Sequence, residues 1–320
     1  MIHILNAESL NYSDEARQVL QSIGDLDERQ LDRAGLLACI SDYDALIVRL
    51  GFQVDREMLD AATCLKAIVT ATTGLDHIDT AYAARRGIEV LSLRGEIDFL
   101  RSIPATAEHT WALLLALIRR IPQAAAAVRA GAWDRDAWRG HDLHGRRLGI
   151  LGLGRIGEKV ACYGLAFGMA VAAFDPYRGD WLPDVQRCSS LDELLRQADV
   201  LSLHVPLNNE TCYMIGAREL ALLPAGAVVI NTARGAALDG IALVESLRRG
   251  HLAGAALDVI EDELDEDQRR NSPLLAYARQ FDNLLITPHI GGATFESMAC
   301  TESFMAQKLK RWLVQQIQLS

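Results

Sequence analysis

"RLGILGLGRIGEKVACYGLAFGMAVAAFDPY", residues 147–177, decides the fold. An apolar run, 148–151, stops at Gly152-x-Gly154-x-x-Gly157. A helical pattern follows, then a second apolar run, 170–174, that ends on Asp175. The first glycine permits a tight turn, the second lets a pyrophosphate approach the backbone, and the third lets helix and strand pack closely. Phosphates then meet free N–H groups and the positive end of the helix dipole. An acid at the end of the second strand accepts hydrogen bonds from both ribose hydroxyls and repels a 2′-phosphate, so Asp175 favours NAD over NADP. Arg178, close by, is the one counter-signal. A bare G-x-G-x-x-G is weak, but this one has its strand, its helix, its second strand and its acid, and reads as a dinucleotide site.

Outward from this stretch, short apolar runs alternate with helical patterns. Candidate strands are 2–5, 45–48, 67–70 and 88–91, then 148–151, 170–174, 200–204, 227–231, 254–257 and 284–287. Unbroken apolar runs mark strands buried on both faces of a parallel sheet covered by helices. The expected class is therefore α/β with two Rossmann-like or flavodoxin-like parallel-sheet domains. Pro104 opens an apolar helical stretch, 105–121, which Pro122 breaks or kinks. The final pattern, 294–319, is helical and is expected to return to the first unit. The expected division is 1–103 plus 290–320 as one domain and 104–289 as the dinucleotide domain. The charge run 258–267 reads as a solvated loop.

Composition narrows the class. The chain has 320 residues, 50% of them hydrophobic and 23% charged, which is the balance of a folded chain long enough for two domains. A net charge of −10 argues against general nucleic-acid binding, which needs a basic face. The opening MIHILNAESL lacks a secretory pattern, and the apolar stretch 111–118 is closed by Arg119 and Arg120, far short of the roughly 20 residues a bilayer needs. No membrane partner is expected. Cys39, Cys64, Cys162, Cys188, Cys212 and Cys300 are scattered, mostly among apolar neighbours, and read as buried free thiols in a reducing cytoplasm. No His/Cys spacing suggests a metal.

A nicotinamide carries hydride, so the protein must supply a proton and orient the substrate. Three segments place suitable groups just past strand ends, where open parallel sheets bind ligands. "VVINTARGAALD" supplies Arg234, "AALDVIEDE" supplies Asp258 and Glu263, and "LLITPHIGGAT" supplies His289.

With "GLGRIG", "ADVLSLHVPLNNET", "VVINTARG", "GAALDV" and "TPHIGG" in order, the chain resembles the D-specific 2-hydroxyacid dehydrogenase family, which includes phosphoglycerate, glycerate and D-lactate dehydrogenases. The resemblance implies an active site in the cleft between the two domains and an NAD-dependent interconversion of a D-2-hydroxy acid and its 2-oxo acid. It implies that Arg234 binds the substrate carboxylate and carbonyl, that His289 exchanges the proton, and that Glu263 pairs with His289. A nearby carboxylate stabilises an imidazolium. Asp258 matches a residue near the nicotinamide amide. Arg155 and Ile156 match positions whose backbone N–H groups meet the pyrophosphate, and His204, Pro206, Thr211 and Thr232 match positions lining the cofactor cleft. "TTGLDHID" resembles the family's substrate loop, with Thr73 and Gly74 offering N–H groups to the carboxylate.

Departures cluster where a substrate side chain would be read. Thr72 stands for the loop's first glycine, Leu50 for a serine, and the 93–103 loop is long and carries Arg94, Glu96, Asp98 and Arg101. The proline that usually follows the pairing glutamate is Leu264, which leaves Glu261 as an alternative partner for His289. Arg49, where relatives place a substrate-contacting basic residue, has two readings. With Arg94 or Arg101 it binds a phosphate or second carboxylate, or it is a solvated surface arginine. His109 reads as packing at a helix start, and His77, His141, His144 and His251 as surface or interface residues. The apolar connecting helix with Trp111, Trp133 and Trp138 suggests a homodimer. The competing function is an NAD(H)-sensing interaction protein of the corepressor type.

Overall fold

The computed structural model describes residues 2–319. The chain forms two compact units, Met1–Ile103 with Ala293–Ser320, and Pro104–Gly292.

The first unit holds β1 (Ile2–Asn6), β2 (Gly24–Glu28), β3 (Ala45–Val48), β4 (Ala67–Thr70) and β5 (Glu89–Leu91). They pair in the order β2-β1-β3-β4-β5, all parallel. Alternation of side chains along each strand divides the core into two layers. Leu5, Leu46, Val48 and Ile68 face Leu36, Ile40, Met58 and Leu59. Ile4, Ala45, Ile47 and Val69 face Ala16 and Leu20 of the helix Asp14–Gln21 and Met305, Ala306 and Leu309 of the helix Phe295–Leu319. Ser13, Asp32, Asp55 and Asp79 cap four helices through side-chain bonds to backbone N–H groups. Strand β2, sequence GDLDE, escapes the apolar-run signal because it is an edge strand paired only to β1 and half exposed.

The second unit holds β6 (Arg147–Leu151), β7 (Ala170–Phe174), β8 (Val185–Arg187), β9 (Val200–Leu203), β10 (Ala227–Asn231), β11 (Leu252–Leu257) and β12 (Leu284–Ile286). The order is β12-β11-β10-β9-β6-β7-β8, again parallel. Strand β6 pairs with β7 on one side and β9 on the other, so the topological switch, where such sheets bind ligands, lies at the carboxyl ends of β6 and β9.

The helix Ala105–Ile118 packs within this second unit. Trp111, Leu113, Leu114, Leu117 and Ile118 join a core with Leu148, Ile150 and Ile230, and Trp111 stacks on Phe167 with ring centroids 4.6 Å apart. Its apolarity is thus core packing, and Trp111 offers nothing to a partner. The helix ends at Arg119, Arg120 turns left-handed at φ 53°, and a new helix, Ile121–Arg129, starts with Pro122 in its first turn. Pro122 therefore opens a second helix instead of kinking one.

Three sequence expectations are corrected. Cys64, Cys162, Cys212 and Cys300 are exposed, Cys39 is half-buried and Cys188 is buried; Cys162 and Cys300 lie on solvent-facing sides of helices, and Cys64 and Cys212 lie in turns. His77 is buried. The 258–267 run is not one solvated loop, since Asp258 is buried and Glu266 begins a short helix.

Leu309→Ala removes a fully buried side chain from the terminal helix. It should cost about 2–5 kcal/mol. Denaturant unfolding monitored by hydrogen exchange should show the loss in the β1–β5 sheet, although the mutation lies more than two hundred residues away in sequence from those strands.

Candidate active site

The glycine loop has the shape its sequence demands. Gly152 sits at φ 87°, and a Cβ there would come within 2.8 Å of the His204 carbonyl oxygen. A Cβ on Gly157 would lie 2.1 Å from the Gly152 carbonyl oxygen, while Gly154 has open space around it. Gly154 precedes the helix Arg155–Ala166, whose first N–H groups need partners. Arg155 is half-buried and makes no ion pair or side-chain hydrogen bond among the described residues; burial lowers its pKa. Ile156 packs against the core. Asp175 is held beside the loop by Leu153 N–H at 2.9 Å and Tyr177 N–H at 3.0 Å. Arg178 is spent locally on the Leu153 carbonyl, Glu158 and Asp180, so its charge does not answer a 2′-phosphate.

His204 follows β9 at the switch point. Its Nε2 lies 2.8 Å from Ser202 Oγ, and its Nδ1 is buried without a partner. Burial pushes its pKa down to about 3, so the ring is neutral. An orphaned ring nitrogen beside a glycine cradle fits a ligand that brings its own hydrogen-bonding atoms. Thr211 is used internally, its hydroxyl donating to the Pro206 carbonyl at 2.6 Å and accepting from Asn208 N–H at 2.9 Å. The Thr232 hydroxyl meets Thr110 at 2.8 Å. These two threonines shape the loops around the crevice.

A second group of side chains gathers past the ends of β10, β11 and β12. Asn231 closes the turn after β10, its Oδ1 accepting from Ala233 N–H at 2.9 Å and its Nδ2 donating to the Arg234 carbonyl at 2.9 Å. This turn carries Arg234, whose Nη1 donates to the Ala233 carbonyl at 2.7 Å. Gly235 lies flat on the Ile260–Glu261 backbone, where a Cβ would come within 2.0 Å of the Ile260 carbonyl carbon. The Arg234 turn is thereby set against the loop that leads to Glu263.

Asp258 is 2% exposed and organises the group. It accepts from Thr287 Oγ1 at 2.6 Å, Ile290 N–H at 2.9 Å and Gly291 N–H at 2.6 Å, and His109 Nε2 lies 3.2 Å away. Its own carbonyl accepts from His289 N–H at 2.8 Å. Burial pushes the Asp258 carboxyl up, but the bonds from His109, Thr287, Ile290 and Gly291 outweigh it and hold the group below the usual carboxylate range. Between these anchors His289 adopts φ 54°, a left-handed conformation uncommon for a non-glycine residue. Its Nδ1 bonds to Glu263 Oε1. Glu261 instead bonds to the Tyr213 hydroxyl. Of the two acids left open by the sequence, Glu263 is the one on the histidine. A carboxylate on Nδ1 fixes the tautomer and leaves Nε2 for proton exchange.

His109 and Thr287 are functional neighbours that sequence reasoning missed. His109 does more than pack at a helix start, since its Nε2 reaches both Thr287 Oγ1 at 3.0 Å and Asp258. No local signal in the sequence points there.

In the first unit, Thr73 and Gly74 lie in the turn after β4, which Thr72 braces through its hydroxyl to the Gly74 carbonyl at 2.8 Å. Arg49 is half-buried and pairs with buried Glu302 at 2.5 Å, while Arg94 and Arg101 are exposed.

Residues 111–291, more than half of the chain, match the family model described as D-isomer specific 2-hydroxyacid dehydrogenase, NAD binding domain. The chain belongs to the D-isomer-specific 2-hydroxyacid dehydrogenase family. A D-3-phosphoglycerate dehydrogenase of Methanocaldococcus jannaschii is 37% identical over 98% of this chain, which spans only 58% of that relative. A hydroxypyruvate reductase of Thermotoga maritima is 36% identical over 88% of this chain and 90% of its own. The crystal structure of a D-lactate dehydrogenase from Aquifex aeolicus, complexed with NAD and lactic acid, superposes with a TM-score of 0.83 at 30% identity, covering 99% of this chain and 96% of that one. The residues that match the family's NAD-binding domain include the glycine loop, Asp175, Arg234, Asp258, Glu263 and His289.

Asp258 gives the fold a pH signature. Its folded pKa is depressed, so its stabilisation is complete above the unfolded value of about 3.9 and is lost as pH falls through the lower folded value. Asp258→Asn should lower Tm at neutral pH, and the gap to wild type should narrow as pH drops below about 4, measured by thermal melts across that range.

Proposed function

We propose that this chain is an NAD-dependent dehydrogenase that interconverts a D-2-hydroxy acid and its 2-oxo acid. The observation that carries the reading is the His289–Glu263 pair, held by Asp258 in the same unit as a glycine cradle fitted to a dinucleotide. The N–H groups of Arg155 and Ile156 would hold the pyrophosphate, Asp175 the adenosine ribose, and His204, Pro206, Thr211 and Thr232 the surrounding crevice. A nicotinamide, when bound, supplies or accepts the hydride at substrate C2. Arg234 binds the substrate carboxylate and the neighbouring oxygen. His289 donates a proton from Nε2 to the carbonyl oxygen in reduction and takes it back in oxidation. Glu263 holds Nδ1–H and stabilises the imidazolium. Asp258, bonded to the turn on both sides of His289, is well placed to orient the nicotinamide amide. The unit Met1–Ile103 with Ala293–Ser320 is assigned the substrate domain, with Thr73 and Gly74 as N–H donors.

His289→Ala should reduce kcat roughly 10²–10⁴-fold, and Arg234→Ala at least as much. Steady-state oxidation of NADH by a panel of 2-oxo acids checks both. Near-wild-type turnover in either variant overturns the roles, and NADH binding with no oxidation by any 2-oxo acid favours a nucleotide sensor instead.

We infer also that two copies pair through the segment after the connecting helix. The helix Ile121–Arg129 buries none of its residues, and Ile121, Val128 and the 90%-exposed Trp133 lie open on it and just beyond. Apolar side chains grouped on the surface mark interfaces. Sedimentation at micromolar concentration should give a dimer, and Trp133→Glu should give a monomer; a monomeric wild type overturns the pairing.

A further inference from the structure

The start of the helix Ala105–Ile118 lies against the loops that carry the proposed chemistry. Thr106, His109 and Thr110 are spaced three and four apart and so share one face. The Thr110 hydroxyl donates to the Thr106 carbonyl at 2.8 Å, which leaves it to accept from the Thr232 hydroxyl, also at 2.8 Å. That tie reaches the turn that carries Arg234. A Cβ on Gly291 would meet Asp258 Oδ2 at 2.8 Å and the Thr106 methyl at 3.5 Å, so the turn after His289 is seated between the carboxylate and the helix. Trp111, Leu114 and Leu117 of the same helix are buried in the core and hold this face in place.

The proton on His109 can be placed. An ionised carboxylate only accepts, so Thr287 Oγ1, 2.6 Å from Asp258 Oδ1, spends its hydrogen there. Toward His109 Nε2, 3.0 Å away, the hydroxyl can then only accept. Asp258 Oδ1, 3.2 Å from the same nitrogen, also only accepts. His109 Nε2 therefore carries a hydrogen, directed between two acceptors. Among the described residues His109 is the one titratable donor on Asp258. Oδ1 thus takes His109, Thr287 and Ile290 N–H, and Oδ2 takes Gly291 N–H. Burial raises the carboxyl's pKa, and the bond from His109 does most to bring it back down. Without that donor, a carboxylate removed from water has less to hold it ionised in one orientation.

We propose that His109 is a positioning residue for the proton exchange: its Nε2–H fixes the Asp258 carboxylate, and the carboxylate fixes the Ile290–Gly291 turn from which His289 is aimed. The proposal rests on the redox reading above. His109 acts through Asp258 and needs to touch neither substrate nor cofactor. The effect reaches the rate because a reacting group misplaced by about 1 Å can cost on the order of 10²-fold.

The test compares His109→Gln, His109→Asn and His109→Leu with wild type. A glutamine amide puts an N–H donor where Nε2 stands, an asparagine amide only where Nδ1 stands, and leucine none. Well below the melting point, kcat for reduction of a 2-oxo acid by NADH should fall about tenfold or more in the Leu and Asn variants and stay within about threefold of wild type in the Gln variant. The KM for the 2-oxo acid should move less than kcat. A lower Tm with unchanged kcat marks a merely structural role and overturns the proposal. Equal kcat in the Asn and Gln variants overturns it too, as does a KM that moves more than kcat. That pair carries the test should His109→Leu not fold. A second readout needs no turnover. In the full chain without substrate, amide exchange at Ile290 and Gly291 should quicken about tenfold or more in His109→Asn and return toward wild type in His109→Gln. Unchanged exchange overturns the proposal. So does an equal quickening in Thr110→Val, which removes a hydroxyl from the same helix face but from the tie to the other turn. If wild type reduces no 2-oxo acid, the redox reading fails, while the exchange comparison still decides whether His109 holds the turn.

Discussion

One carboxylate organises the chemistry of the second unit. Asp258 stands at the end of a buried strand and collects donors from three directions, a helix, a strand end and a tight turn. Removing such a group from water is costly, and it is tolerated because every direction of its charge is answered. Its reward is geometric. The turn that carries His289 is pinned on both sides of a left-handed residue, so backbone bonds set the direction in which the imidazole leaves the chain. Glu263 then needs only to fix the ring. Preorganisation of this kind is what the proton exchange proposed for His289 requires.

The sequence made the interior legible and the periphery less so. Strands buried on both faces, such as β3, β4, β6 and β10, appear as unbroken apolar runs and fall where the pattern puts them. Edge strands β2 and β8 do not, because one exposed side removes the demand for apolar residues. At the site, the glycine loop is a local motif and carries its own meaning. The choice between Glu261 and Glu263 was not local. It depends on Tyr213, 48 residues away, which takes Glu261 for itself. Arg49 was illegible for the same reason, since its partner Glu302 lies on the terminal helix, 253 residues on. His109 reaches Asp258 only through the register of a helix on a sheet, which no spacing rule encodes.

The terminal helix also bears on how the molecule is made. The second unit is one uninterrupted piece of chain, while the first needs the helix Phe295–Leu319 to cover half of its core. Domains condense as their residues leave the ribosome, usually in the order of synthesis. Here that order is inverted: the later-made unit can close while the earlier one still waits, its apolar strands in need of chaperone cover until the last helix emerges.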